Sequence, residues 1–317
     1  MKKYRIGVDI GGTNIKIALV DFEGKIIYSS TTPTMAELGY EAGVNNIKTA
    51  IKDLISQTGE SEKTIEAIGF GLPGQIDYVT GIVKNLPNIP GWVNIPLAKI
   101  IEDEFKIPTK LDNDVRCAAL GELNFGAGKG AQNLVCITVG TGIGSGIVLN
   151  GKLVRGASNA AGEIGHIKMT LEKGPLCGCG DWGCLEAYAS GPAIVSMAKE
   201  YISGGKSAKY LEMTQNGIIT PYIVAQAALQ GDAVSIQIFN QIGKIIGLGL
   251  VSVINLLNPE KVIIGGGVAD AGDILLEPIR RTIKDRAMPI QASTVQIVPA
   301  QLANTAGVIG ASLLVKS

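Results

Sequence analysis

The sequence predicts an α/β protein of two lobes with a central cleft, in which one order of elements is used twice. Three observations predict it. At 317 residues the chain exceeds one ordinary core and suits two. A strand, a Gly-rich polar turn, further strands and then helices occur once from Tyr4 and again from Asn133, a repeat visible in element order more than in letters. Apolar residues make up 46% and charged residues 18%, the balance of a globular chain.

The elements follow from pattern. Residues 4–10 (YRIGVDI) and Asn14–Asp21 read as strands, and a turn at Phe22–Lys25 leads to a third at Ile26–Ser30. Tight turns make these an antiparallel meander. Val44, Ile47, Ile51, Leu54 and Ile55 recur at helical spacing, and a strand at Ile65–Gly71 ends in LPG. Leu97, Ile100, Ile101 and Phe105 mark a second amphipathic helix. Thr109–Leu111 is a short strand leading to Asp112-Asn113-Asp114, and Val115–Leu123 is helical. The second round has a strand at Asn133–Val139, the turn GTGIGSG, and strands at Gly146–Asn150 and Lys152–Val154. Apolar helices, a strand at Lys261–Ile264 and the triple glycine Gly265–Gly267 follow. No long linker separates the halves. The expected division is a small lobe over 1–115 and a large lobe over 116–303, hinged around 112–116, with the helical stretch at about 304–317 returning to the first lobe.

Composition excludes some classes. Formal net charge is zero, so no basic face points to nucleic acid or anionic lipid, although loop amides can still bind a polyanion locally. The N-terminus lacks the apolar region and cleavage site of a signal peptide. The most apolar stretch, Ile245–Leu257, is interrupted by Gly, Ser and Asn and is too short to span a bilayer; it reads as a buried helix. Five cysteines, an odd number with three packed between 177 and 184, do not suit a secreted disulfide framework. A cytoplasmic location is expected.

Three loops are candidates for phosphate or nucleoside contact. In Asp9-Ile10-Gly11-Gly12-Thr13-Asn14-Ile15-Lys16 two glycines let backbone amides approach a ligand, Thr13 and Lys16 add side-chain contacts, and Asp9 is placed to hold Mg²⁺ through water. A hairpin turn that merely needs Gly explains this piece equally well. In Thr138-Val139-Gly140-Thr141-Gly142-Ile143-Gly144 the glycines lead into a strand and hairpin, not a helix, which removes the dinucleotide-binding reading; a Walker A motif is absent too. Two Gly-Thr hairpins suggest phosphates gripped from two sides. Gly265, Gly266 and Gly267 after a strand suit an adenine or ribose against bare backbone, with tight strand-to-helix packing as the rival reading.

Asn113 and Asp114 stand at the start of a helix, where a carboxylate is favoured as the anion. An ionised Asp there can accept the proton of an attacking hydroxyl, as in phosphoryl transfer. N-capping is the alternative, and both roles fit within Asp112-Asn113-Asp114. His166, the single histidine, joins Cys177, Cys179 and Cys184 in a Cys₃His set of the kind that holds structural Zn²⁺, with free thiols the alternative. Cys117 and Cys136 read as small core residues. Glu163 and Glu186 bracket this knot, where a stiff loop would hold their carboxylates at vicinal hydroxyls. Solvated surface charge is the alternative for both glutamates.

The motifs DIGGTNIK, GLPGQID, NLPNIPGW, LDNDVRCAALGE, TVGTGIGSGI, RGASNAAGEIGH, CGCGDWGCLE and VIIGGG, in that order, resemble the ROK family (repressor, open reading frame, kinase) and its bacterial glucokinase branch. The resemblance implies the actin/hexokinase-like (ribonuclease H-like) duplicated fold and an ATP:hexose 6-phosphotransferase acting first on glucose. N-acetylmannosamine, mannose, allose and fructose are the alternative hexoses. It implies Asp114 as catalytic base and Asn113, Glu163, His166 and Glu186 as hexose ligands, with Asp114 also in contact with the sugar. It implies zinc on His166, Cys177, Cys179 and Cys184, Gly11, Gly12, Thr13, Thr141 and Gly142 in the phosphate loops, and Gly266 and Gly267 in the adenosine loop. Homodimers or homotetramers are usual in the family. Its sugar-sensing repressors carry a DNA-binding domain before the first strand, for which a strand at Tyr4 leaves no room. One departure stands out: many of these glucokinases read NDANAAALGE where this chain has Asn113-Asp114-Val115-Arg116-Cys117 and continues to Glu122. Arg116 is therefore expected near the cleft.

Overall fold

The computed structural model describes residues 2–87, 89–206, 208–214 and 216–315. Asn88 of the NLPNIPGW motif and the last two residues of the expected C-terminal helix lie outside them. The chain divides into two compact units. The first runs up to Gly130, includes Gly146–Ala161 and resumes from Gln301; the second comprises Ala131–Ser145 and Gly162–Ala300.

In the first unit the strands are β1 (Tyr4–Ile10), β2 (Asn14–Asp21), β3 (Ile26–Pro33), β4 (Ile65–Leu72) and β8 (Thr109–Asn113), in the order β3-β2-β1-β4-β8. The β1–β2–β3 meander is antiparallel and β1, β4 and β8 are parallel. β3 runs on past Ser30 because Thr31, Thr32 and Pro33 pair with Lys16, Ile15 and Asn14. Parallel neighbours need crossovers, and helices α1 (Gly39–Gln57) and α2 (Leu97–Phe105) lie within them. A small antiparallel sheet of β5 (Gln75–Asp77), β6 (Ile82–Asn85) and β7 (Val93–Ile95) falls between β4 and α2; its strands are too short to show a period in the sequence.

Strand alternation sorts the two faces of this sheet. Ile6, Val8 and Ile10 of β1 and Ile68, Phe70 and Leu72 of β4 join Val44, Ile47, Ile51 and Leu54 of α1 in one buried cluster. The other face of the same strands presents Gly7, Asp9, Gly69 and Gly71. There α10 (Ala306–Ser312) lies directly on the backbone: a Cβ at Gly7 would overlap the Val308 carbonyl, and one at Gly69 the Ala311 carbonyl. A Cβ at Gly310 would overlap the Cys117 carbonyl of α3 (Asp114–Phe125). Buried Glu122 fastens the chain before α10, accepting from the N–H groups of Gln301 (3.2 Å) and Leu302 (2.7 Å).

The second sheet has the order β11-β10-β9-β12-β13, which repeats the first, with β9 (Leu134–Val139), β10 (Ile143–Leu149), β11 (Lys152–Leu153), β12 (Lys261–Gly265) and β13 (Gln296–Pro299). β9, β12 and β13 are parallel and β10–β11 is an antiparallel hairpin. β10 starts at Ile143, before the expected Gly146, so two glycines of GTGIGSG lie inside the strand. The helices of the second unit are α4 (Leu185–Ala189), α5 (Gly191–Ser203), α6 (Pro221–Leu229), α7 (Ala233–Leu257), α8 (Asp273–Arg286) and α9 (Pro289–Thr294). The apolar stretch expected over Ile245–Leu257 belongs to α7, whose 25 residues are long and apolar enough to cross a membrane. The length argument of the sequence reading therefore fails. Burial supplies the better one: Ile238, Phe239, Ile242, Ile246, Leu250 and Ile254 are fully buried, and α7 packs on α4, α5, α6 and α8.

Candidate active site

In the first unit the candidate residues gather at the C-terminal ends of the parallel strands. Asp9 pairs across the ladder with Gly71, and Gly71 with Asp112. Because Gly71 has no side chain, the first turn of α3 settles on the strand: a Cβ there would stand 3.4 Å from Asp114 Cα and 3.3 Å from Cys117 Sγ. Asn113 is the cap of α3, its side chain accepting from the N–H groups of Val115 (3.0 Å) and Arg116 (3.3 Å). Asp114 is the first helical residue and accepts from Val115 N–H at 2.9 Å. The DND triplet thus splits its roles, since Asp112 is fully buried and paired with arginines.

Asp9 and Asp114 are close enough to feel each other's charge. Burial, then the Asp114 charge, pushes the Asp9 carboxyl up to about 6 against a partial pull from Lys16. A crowded pair of carboxylates with one partly buried suits a divalent cation, which relieves both penalties. The Gly11-Gly12-Thr13 turn is held by Thr34, a residue that sequence reasoning missed: its Oγ1 donates to Gly11 O (2.7 Å) and its N–H to Thr13 O (2.9 Å). Only a buried threonine after a polar strand end signals that contact. Lys16 Nζ reaches Asn304 O at 3.3 Å.

Arg116, two residues after Asp114, has a buried side chain. It is 4% exposed and faces inward, with Nη1 3.2 Å from Asp112 Oδ1, so it lines no open surface.

The second unit brings together the other candidates. Thr138 pairs with Gly265 on the adjacent strand, so the two Gly loops leave β9 and β12 side by side. Gly266 has φ 85°, and a Cβ there would collide with Val139, so packing alone requires it. At Gly140 and Gly267 a Cβ would meet nothing within 4 Å, and packing does not explain the missing side chain. Thr141 is exposed beside them. Glu186 Oε2 accepts from Ile143 N–H at 2.8 Å, and a Cβ at Gly142 would strike this carboxylate. Its other oxygen lies 3.5 Å from Cys177 Sγ, so Glu186 links the Gly-Thr turn to the cysteine knot.

The knot itself is preformed. Ligand atoms of His166, Cys177, Cys179 and Cys184 all lie within 4.8 Å of one another. Cys179 Sγ and Cys184 Sγ are 3.8 Å apart, and Cys177 Sγ and His166 Nδ1 3.7 Å. Tetrahedral zinc with Zn–S of about 2.3 Å and Zn–N of about 2.0 Å gives edges of about 3.5–3.8 Å, so the donor set fits that ion. Burial pushes the Cys177 thiol up to about 12, whereas a backbone N–H from Asp181 holds Cys179 below its usual value. His166 turns Nδ1 to the knot and Nε2 outward, 4.0 Å from Glu163 Oε2.

The profile of the ROK family matches residues 5–317. The chain belongs to the ROK family. Among ROK proteins it is 40% identical over 315 residues to the glucokinase of Halalkalibacterium halodurans, covering 99% of this chain and 95% of that one. It is 33% identical to the xylose repressor of Caldicellulosiruptor bescii, covering 98% of this chain and 78% of that one. The fold matches the crystal structure of a ROK glucokinase from Streptomyces griseus in complex with glucose and AMPPNP, with a TM-score of 0.84, 37% identity and 98% of both chains covered. This likeness bears out the actin/hexokinase-like duplicated fold expected from the motifs.

Proposed function

We propose that this ROK protein is an ATP-dependent glucokinase, moving the γ-phosphoryl group of ATP to the 6-hydroxyl of glucose. The observation that carries the reading is likeness across 98% of both chains to a ROK glucokinase solved with glucose and an ATP analogue. Asp114, fixed on α3 by the bare backbone of Gly71, accepts the 6-hydroxyl proton as that oxygen attacks the γ-phosphorus. The bond from phosphorus to the β–γ bridging oxygen breaks, and ADP leaves with the electron pair. Asn113, Glu163, His166 and Glu186 bind the hexose hydroxyls, with His166 Nε2 free of the knot for that purpose.

Amides and side chains of Gly11, Gly12, Thr13, Lys16, Thr138, Gly140, Thr141 and Gly142 receive the phosphates, and Gly265–Gly267 the adenosine. Asp9 would hold Mg²⁺ brought with the nucleotide, which supplies neutralisation of phosphate charge. His166, Cys177, Cys179 and Cys184 would hold structural Zn²⁺, stiffening the loop between Glu163 and Glu186. The proposal includes a homodimer or homotetramer and a cytoplasmic setting. N-acetylmannosamine, mannose, allose and fructose are the competing substrates.

Replacing Asp114 by Asn tests the chemistry. Turnover should fall by about 10²–10⁴-fold, while glucose binding by calorimetry persists. Turnover within severalfold of the unmodified protein removes Asp114 from the base role.

A further inference from the structure

Asp112, next to last in β8, has no exposed surface, and a buried carboxylate is tolerated only when donors meet its oxygens. Oδ1 accepts from Asn113 N–H (2.8 Å) and Arg116 Nη1 (3.2 Å), and Oδ2 from Arg155 Nε (2.8 Å). Arg116 also donates to main chain, from Nη1 to Asn159 O and from Nη2 to Ala161 O, both at 2.7 Å. The loop those carbonyls belong to is closed by the Ala161 N–H donating to Arg155 O at 3.0 Å. At its start the Arg155 guanidinium stacks 3.6 Å over the Tyr78 ring, and the Tyr78 hydroxyl donates to Leu314 O at 3.3 Å. Residues 155–161 are therefore tied at beginning, middle and end to the carboxylate two positions before Asp114. Gly162 and Glu163 follow directly in the chain.

We propose that Arg116 is a positioning residue for the hexose. By bridging Asp112 to the carbonyls of Asn159 and Ala161, it fixes the segment from which Gly162 and Glu163 continue. It touches no sugar itself. The task needs a planar fork whose donors reach three acceptors at set angles, which a lysine ammonium meets only in part. The inference rests on the kinase reading above, in which Glu163 binds the sugar.

Steady-state kinetics with glucose and Mg-ATP varied separately test it, on the unmodified protein, Arg116→Met and Arg116→Lys. Arg116→Met should raise the KM for glucose at least tenfold, leave the KM for Mg-ATP within twofold and change kcat less than threefold. Arg116→Lys should recover part of the loss. An unchanged glucose KM, or equal shifts in both KM values, overturns the proposal. Should Arg116→Met show no cooperative melting, Arg116→Lys decides: a threefold or larger rise in glucose KM alone supports it, and no rise overturns it. If the unmodified protein turns over no hexose, the kinase reading fails separately. Calorimetric glucose affinity in the same variants then decides for Arg116, weakening supporting it and constancy overturning it.

Discussion

Asp9 sits on the face of β1 that looks onto Gly307 of α10, with Asp114 near enough to disfavour its charge. Such a carboxylate has a stability cost that depends on pH. Its folded pKa, about 6, lies above the unfolded 3.8. The folded state therefore binds the proton more tightly, and stability falls as pH rises from about 4 to 6, then stays level. Replacing Asp9 by Asn should thus raise the stability of the ligand-free protein by about 1–3 kcal/mol at pH 8, with no gain at pH 3.5, while turnover drops. Urea unfolding at the two pH values checks it; a gain that is equal at both would contradict the burial argument. The cysteine knot makes a second residue-scale prediction. Purified protein should carry one zinc ion per chain, and Cys177→Ser should lose it, with weaker glucose binding and lower melting temperature but little change in rate at saturating sugar. Elemental analysis showing no zinc in the fresh protein would remove that role.

At the scale of elements, glycines fall into two kinds that a sequence does not separate. Gly69 is bare because α10 lies on it and Gly310 of α10 because the Cys117 carbonyl of α3 meets it, whereas a Cβ at Gly140 would meet nothing within 4 Å. Gly310→Ala should cost about 1–3 kcal/mol or more, since backbone carbonyl stands where the Cβ would go. Gly140→Ala should leave stability within about 0.5 kcal/mol yet raise the KM for ATP. Thermal melting beside ATP kinetics distinguishes them, and matching behaviour of the two variants would refute the division. The same contrast explains what could be read early. The alternation of NIKIALVD made β2 legible to the residue, and the types and order of Asp9, Asp114, Glu163, His166 and the cysteines marked the candidate site, because local chemistry needs particular side chains. The Asp112–Arg155 contact, 43 positions apart, and the anchoring of the Gly11 turn by Thr34 needed the folded chain. So did the small sheet at 75–95, whose strands of three and four residues are too brief for a period.

For the whole molecule, the strand order is used twice, and the residues the proposed reaction uses are divided between the two units. Asp114, the proposed base, is in the first unit, and Glu163, His166 and Glu186 are in the second. Likeness to a xylose repressor as well as to glucokinases means that sugar binding by itself separates nothing. Consumption of ATP does. The most direct measurement is the initial rate of ADP release with glucose, N-acetylmannosamine, mannose, allose and fructose, each at fixed Mg-ATP. The account predicts release that depends on sugar, is fastest per unit concentration with glucose, and is nearly abolished by Asp114→Asn. Sugar binding without ADP release above the sugar-free background, for every hexose, would contradict it.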